Sequence, residues 1–113
     1  MLGSDLRGIL AEEEEILRRE QALRSLISLR SRALRESLPD RMRRARDSGD
    51  WTNLSKTECA SLHQQEKNYV RAQIAQLDFQ RKQTREKLGE LRRAKARAQR
   101  IRAAEAAANK KRR

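Results

Sequence analysis

The sequence predicts an all-α fold: two long helices, about 5–37 and 55–108, joined by a connector. They are expected to form an antiparallel helical hairpin or an extended coiled-coil-like pair with a protruding basic C-terminal helix. Three observations carry this reading. The 113 residues include one Pro and four Gly, too little turn punctuation for a sheet. Charged residues are 39% and apolar residues 36% of the chain, against roughly 25% and 45–50% in ordinary globular domains, which excludes a thick core. Leucine and isoleucine recur at spacings of three, four and seven along both halves, the period of an amphipathic helix.

The first helix takes Ser4 as a plausible N-cap and carries Leu6, Ile9, Leu10, Ile16, Leu17, Leu23, Ile27 and Leu34 at helical spacing. In heptads, Leu6, Glu13, Glu20, Ile27 and Leu34 fall on one column, and Ile9, Ile16, Leu23 and Arg30 on the column three residues later. Charge interrupts this seam at Glu13, Glu20 and Arg30, which points to irregular neighbours or a basic partner rather than an uninterrupted zipper.

Pro39 disfavours helical geometry at Leu38, so the first helix is expected to end near Ser37. Ser37 and Asp40 also have the spacing to cap a short helix through Arg41–Asp47, before a polar loop at Asp47, Ser48, Gly49 and Asp50. On either reading residues 39–54 form the connector. The restart is better marked. Ser55 and Glu58 make a capping box, and Leu54 and Cys59 are placed to form its hydrophobic staple. From Ser55, the residues Leu62, Tyr69, Val70, Ile74, Leu77, Leu88, Leu91, Ala94, Ala98 and Ile101 keep helical spacing without a Pro, and Gly89 is too mild a defect to end the helix.

Charge divides the chain into four segments: 1–38, an amphipathic helix of net charge zero; 39–54, the connector with a basic cluster; 55–91, a nearly balanced amphipathic helix; and 92–113, a tail with ten Lys/Arg and one Glu. The tail holds +9 of the total +12. At about 1.5 Å per residue the second helix outruns the first by about 15–20 residues in a hairpin, and that overshoot is the tail. Such a bias calls for an external polyanion. The expected contacts are Arg92, Arg93, Lys95, Arg97, Arg100, Arg102, Lys110, Lys111, Arg112 and Arg113, with Arg41, Arg43, Arg44 and Arg46 of the connector as a second patch.

Partner-protein contacts are expected at Trp51, which suits either a plug for the open hairpin end or an anchor in a partner's pocket, and at Phe79, off the apolar seam. The seam residues Ile9, Ile16, Leu23, Ile27, Val70 and Leu77 complete the set. Catalysis is not expected, since the one Cys and one His lie four residues apart and no phosphate-binding Gly loop is present. Cys59 and His63 cannot complete a four-ligand metal site alone, so neither metal nor cofactor is expected. A single Cys gives no disulfide framework, and the acidic start at Glu12–Glu15 does not read as a cleavable presequence, so an intracellular protein is expected. No apolar run suits a bilayer.

The expected function is a non-catalytic structural subunit of a ribonucleoprotein particle, of the ribosomal-protein or assembly-factor type. Its helices dock on neighbouring protein subunits and its tail binds the backbone of structured RNA. The alternative is a coiled-coil scaffold or stalk in a protein-only assembly, cytoskeletal or chromatin-bound.

Overall fold

A computed structural model describes residues 2–111, with side chains from Leu6 onward. The chain is all-helical, with no strand among the described residues and three helices: α1 (Leu2–Ala33), α2 (Leu38–Ser48) and α3 (Lys56–Lys111). None of these is long and apolar enough to cross a membrane. Contacts divide the chain into two compact units, one of Met1–Leu23 with Gln80–Arg113 and the other of Arg24–Phe79.

The connector differs from a simple break between two helices. α1 ends at Ala33, four residues before Ser37, in a tight turn where the Leu34 and Arg35 amides donate to the Ser31 and Arg32 carbonyls. Ser37 is extended (ψ 160°) and its hydroxyl accepts from the Asp40 amide at 3.2 Å, the geometry of an N-cap. Pro39 then sits in the first turn of α2, where a missing N–H costs no intrahelical bond. The short capped helix is therefore the reading that holds, and the single first helix to Ser37 is corrected. At the other terminus α1 begins at Leu2, so Ser4 lies inside the helix and does not precede it.

α2 ends at Gly49, whose φ of +80° is the left-handed cap that only glycine adopts without strain; its amide donates to the Arg46 carbonyl. The capping box at α3 is present in both directions: the Glu58 amide donates to Ser55 Oγ at 3.1 Å, and the Ser55 amide to Glu58 Oε1 at 3.4 Å. Gly89 lies within α3, which continues past it to Lys111.

Burial follows heptads on both long helices. Along α1 both columns are buried or half-buried at every position from Leu6 to Arg30, the charged ones included. Along α3 the shielded positions alternate four and three apart from Val70 to Ala98. Thr84, buried in this stripe, returns its hydroxyl to the Gln80 carbonyl at 2.8 Å, so the seam holds no unsatisfied donor there. Tyr69 and Ile101 lie off the stripe, 66% and 48% exposed. In the first unit the seam's charges meet across the helices: Lys95 Nζ lies 3.5 Å from Glu13 Oε2, and Arg85 Nε donates to Glu20 Oε1 at 2.8 Å. Ascending positions on α1 thus meet descending positions on α3. The basic partner that Glu13 and Glu20 call for is supplied by the same chain.

Candidate nucleic-acid interface

Two groups of cations are built differently. The first lies in the second unit, around α2. Arg41 and Ala45, one turn apart, form the buried face of α2. Arg41 Nε and Nη2 donate to the two carboxylate oxygens of Glu66 on α3, each at 2.8 Å, a planar fork that lysine cannot make. Its guanidinium carbon also lies 3.9 Å from the centroid of the Trp51 ring. Trp51 has φ +56°, unusual for a bulky side chain, and the arginine covering one face of its ring helps to hold it there. Arg44 makes a second fork, to Glu36, at 3.0 and 2.9 Å.

These forks set the electrostatics. The hydrogen bonds from Arg44 hold the Glu36 carboxyl below its ordinary pKa, and those from Arg41 do the same for Glu66; both effects outweigh desolvation. His63, buried on α3, has Nε2 3.1 Å from the Glu36 carbonyl oxygen. A carbonyl can only accept, so Nε2 carries the proton in that contact. Arg41 Nη1 and His63 Nδ1 are buried without a hydrogen-bond partner among the described residues.

The four connector arginines therefore separate. Arg41 is 5% exposed and belongs to the interior, so the expected four-residue patch is reduced by one. Arg44 is exposed but engaged with Glu36. Arg43 lies 3.3 Å from Asp40 on the surface, a pair of little strength in water. Arg46 is exposed, beside the groove lined by Met42, Trp51, Leu54 and Cys59. Trp51 is half-buried, with its ring already covered on one face from within the chain.

The second group lies on α3 in the first unit. Arg92, Arg93, Arg97, Arg100, Arg102, Lys110 and Lys111 are exposed, and every residue of 99–111 is exposed. Arg112 and Arg113 lie outside the described residues. Lys95 differs: it is half-buried on Glu13, and Ala94 and Ala98 beside it are half-buried too. The segment 92–113 is thus not an overshoot along its whole length. Packing continues to Ala98, and 15 residues follow it in the sequence, at the lower end of the 15–20 expected. The Ala spacers of 92–108 keep this stretch helical despite its charge.

Of the residues expected to contact partner proteins, Leu23 is buried and Ile9, Ile16, Ile27, Val70 and Leu77 are half-buried on the inward stripes. Phe79 is 60% exposed. Sequence reasoning missed Glu36 and Glu66, whose partners are 8 and 25 residues away on other elements. The Glu13–Lys95 contact was open to it, since both residues fall on heptad columns. Cys59 is buried, and no group of three metal-ligating side chains gathers among the described residues. Compared with known proteins, the chain matches no family model, no curated protein and no solved structure.

Proposed function

We propose that this chain is a non-catalytic structural subunit of a ribonucleoprotein particle, in which the exposed end of α3 binds RNA backbone while the rest of the molecule docks on neighbouring proteins. One observation carries the reading: past Lys95, the last cation seen paired within the chain among the described residues, Arg97, Arg100, Arg102, Lys110 and Lys111 project from a helix exposed at every residue from 99 to 111. Like charges at this density repel one another and are stabilised by an external line of phosphates. The heptad burial and the descending order of the α1–α3 ion pairs support an antiparallel, coiled-coil-like pairing in the first unit, which gives the basic helix a firm base. A non-catalytic role is consistent with the one cysteine and one histidine being buried, His63 against the Glu36 carbonyl.

A protein-only scaffold is the second reading. It is favoured by Leu10, Leu17, Leu26 and Leu29, which are 39–59% exposed on α1 and serve equally for docking within a ribonucleoprotein. Copurification of the tagged chain with and without ribonuclease separates the two. The ribonucleoprotein reading expects discrete RNAs, together with partner proteins of which a part is released by the nuclease. The scaffold reading expects a partner set that ribonuclease leaves unchanged, with no RNA enriched.

A further inference from the structure

Arg41 and Trp51 stand between two cavities of the second unit. Arg41 lines the one that also holds Glu36, His63 and Glu66, whereas Trp51 lines the other, a groove of about 240 Å³ beside α2. The guanidinium lies 3.9 Å from the ring centroid and is itself fixed by its fork on Glu66. The indole is therefore braced from one side and meets the groove on surface that the arginine does not cover. Trp51 (φ 56°) and Asn53 (φ 62°) both have left-handed backbone. Asparagine tolerates that conformation and a bulky tryptophan does not, so the loop presents its indole under backbone strain of the kind that collects at ligand sites.

The groove also holds charge that the chain does not use. Of the four connector arginines, Arg41, Arg43 and Arg44 each have a carboxylate partner; Arg46 has none among the described residues, and it lines this groove. Asp50 lines it too, without pairing with Arg46. Its carboxylate accepts from Ser48 Oγ at Oδ2, at 3.3 Å, which leaves Oδ1 with no partner among the described residues. Met42 and Leu54 supply apolar wall. The volume lies below the roughly 300–1,000 Å³ of pockets that enclose drug-sized ligands, so the groove takes a single ring system. A protein's apolar side chain would cover the wall and leave Asp50 and Arg46 unengaged. A nucleobase engages all three, with an apolar face for the indole, edge donors for the carboxylate and an attached phosphate for the arginine.

An ionised carboxylate only accepts hydrogen bonds. Guanine alone among the four RNA bases presents two adjacent donors, N1–H and N2–H, on its Watson–Crick edge. In adenine and cytosine the amino group stands beside a ring nitrogen that repels a carboxylate, and the N3–H of uracil lies between two carbonyls. We infer that the Trp51 groove binds one unpaired guanine of the RNA, with the base stacked on the indole, N1–H and N2–H donating to Asp50, and the adjoining phosphate on Arg46. This rests on the RNA-binding reading and adds a base-specific contact in the second unit to the backbone contacts of α3.

Trp51 is the one tryptophan of the chain, so its emission reports on this groove. The full chain is titrated, at about 0.15 M salt, with four end-labelled RNA hairpins of one stem that differ in a single loop base, G, A, C or U. Anisotropy of the label reads binding, and Trp51 emission reads occupation of the groove. The guanine hairpin is expected to bind at least about tenfold more tightly than the other three and to quench Trp51 saturably. Asp50→Asn, a change at an exposed side chain, is expected to abolish the preference while still binding all four hairpins. Equal affinity for the four, binding that leaves Trp51 emission unmoved, or a guanine preference that survives in Asp50→Asn overturns the groove inference and leaves RNA binding intact. No binding to any hairpin overturns both.

Discussion

Lys95 Nζ lies 3.5 Å from Glu13 Oε2, with both side chains largely shielded, and this contact divides the basic segment into a packed part and an exposed part. Charge counting groups Lys95 with its neighbours, yet its environment is that of the seam. Lys95→Gln is expected to lower stability by about 1 kcal/mol, because it leaves the half-buried Glu13 carboxylate without its cation. RNA affinity and its salt dependence are expected to stay the same. Denaturant melts and binding titrations on the same preparation check both halves.

Glu20 is 9% exposed and accepts from Arg85, whose side chain is half in solvent. Removing the arginine takes a charge-assisted hydrogen bond from a buried carboxylate, so Arg85→Ala is expected to cost about 2 kcal/mol. Glu20→Leu should cost less or stabilise, since it extends the apolar column of α1. Urea midpoints of the two variants check the order; a larger loss for Glu20→Leu contradicts the assignment of Glu20 to the inward stripe.

Arg41 joins α2 to α3 and the connector at once, through Glu66 and Trp51. Arg41→Lys keeps the charge and loses the planar fork, and is expected to cost about 2 kcal/mol. Its readout is local: Trp51 emission should shift to longer wavelength as one face of the ring is uncovered. An unshifted spectrum in a destabilised variant contradicts the stacking.

Much of this architecture is legible in the chain. The heptad columns, the capping box at Ser55 and the charge asymmetry are short-range signals, and each reappears as burial, hydrogen bonds or exposure. The extent of α1 and the dominance of α2 were harder to read, because Pro39 is compatible both with a break and with a helical first turn, and the Ser37 cap decides between them. The forks of Arg41 and Arg44 were not legible. Nothing in local sequence distinguishes an arginine that finds a glutamate 25 residues away from one facing solvent, and four closely spaced arginines read as one patch.

The same forks predict an acid response. Glu36 and Glu66 both have pKa values held below the ordinary 4.5 by their arginines. The unfolded chain then takes up protons more readily, so their contribution is fully present above about pH 4.5 and is lost as the pH falls through the lowered values. Thermal midpoints should drop below pH 4.5. In a variant with both Glu36→Gln and Glu66→Gln, this acid limb should be shallower and stability at neutral pH lower.

The central claim is that exposed cations of α3 contact phosphate. The most direct measurement is the salt dependence of RNA affinity for the full chain and for a variant with Arg93, Arg97, Arg100 and Arg102 all changed to Gln, which keeps helix propensity and leaves the Glu13–Lys95 contact in place. The account predicts that the variant is as helical as the natural chain by circular dichroism, binds RNA at least about a hundredfold more weakly, and has a slope of log affinity against log salt flatter by about 3, or about 0.7–0.9 per lost contact. Unchanged affinity and slope in a variant of unchanged helicity would contradict it.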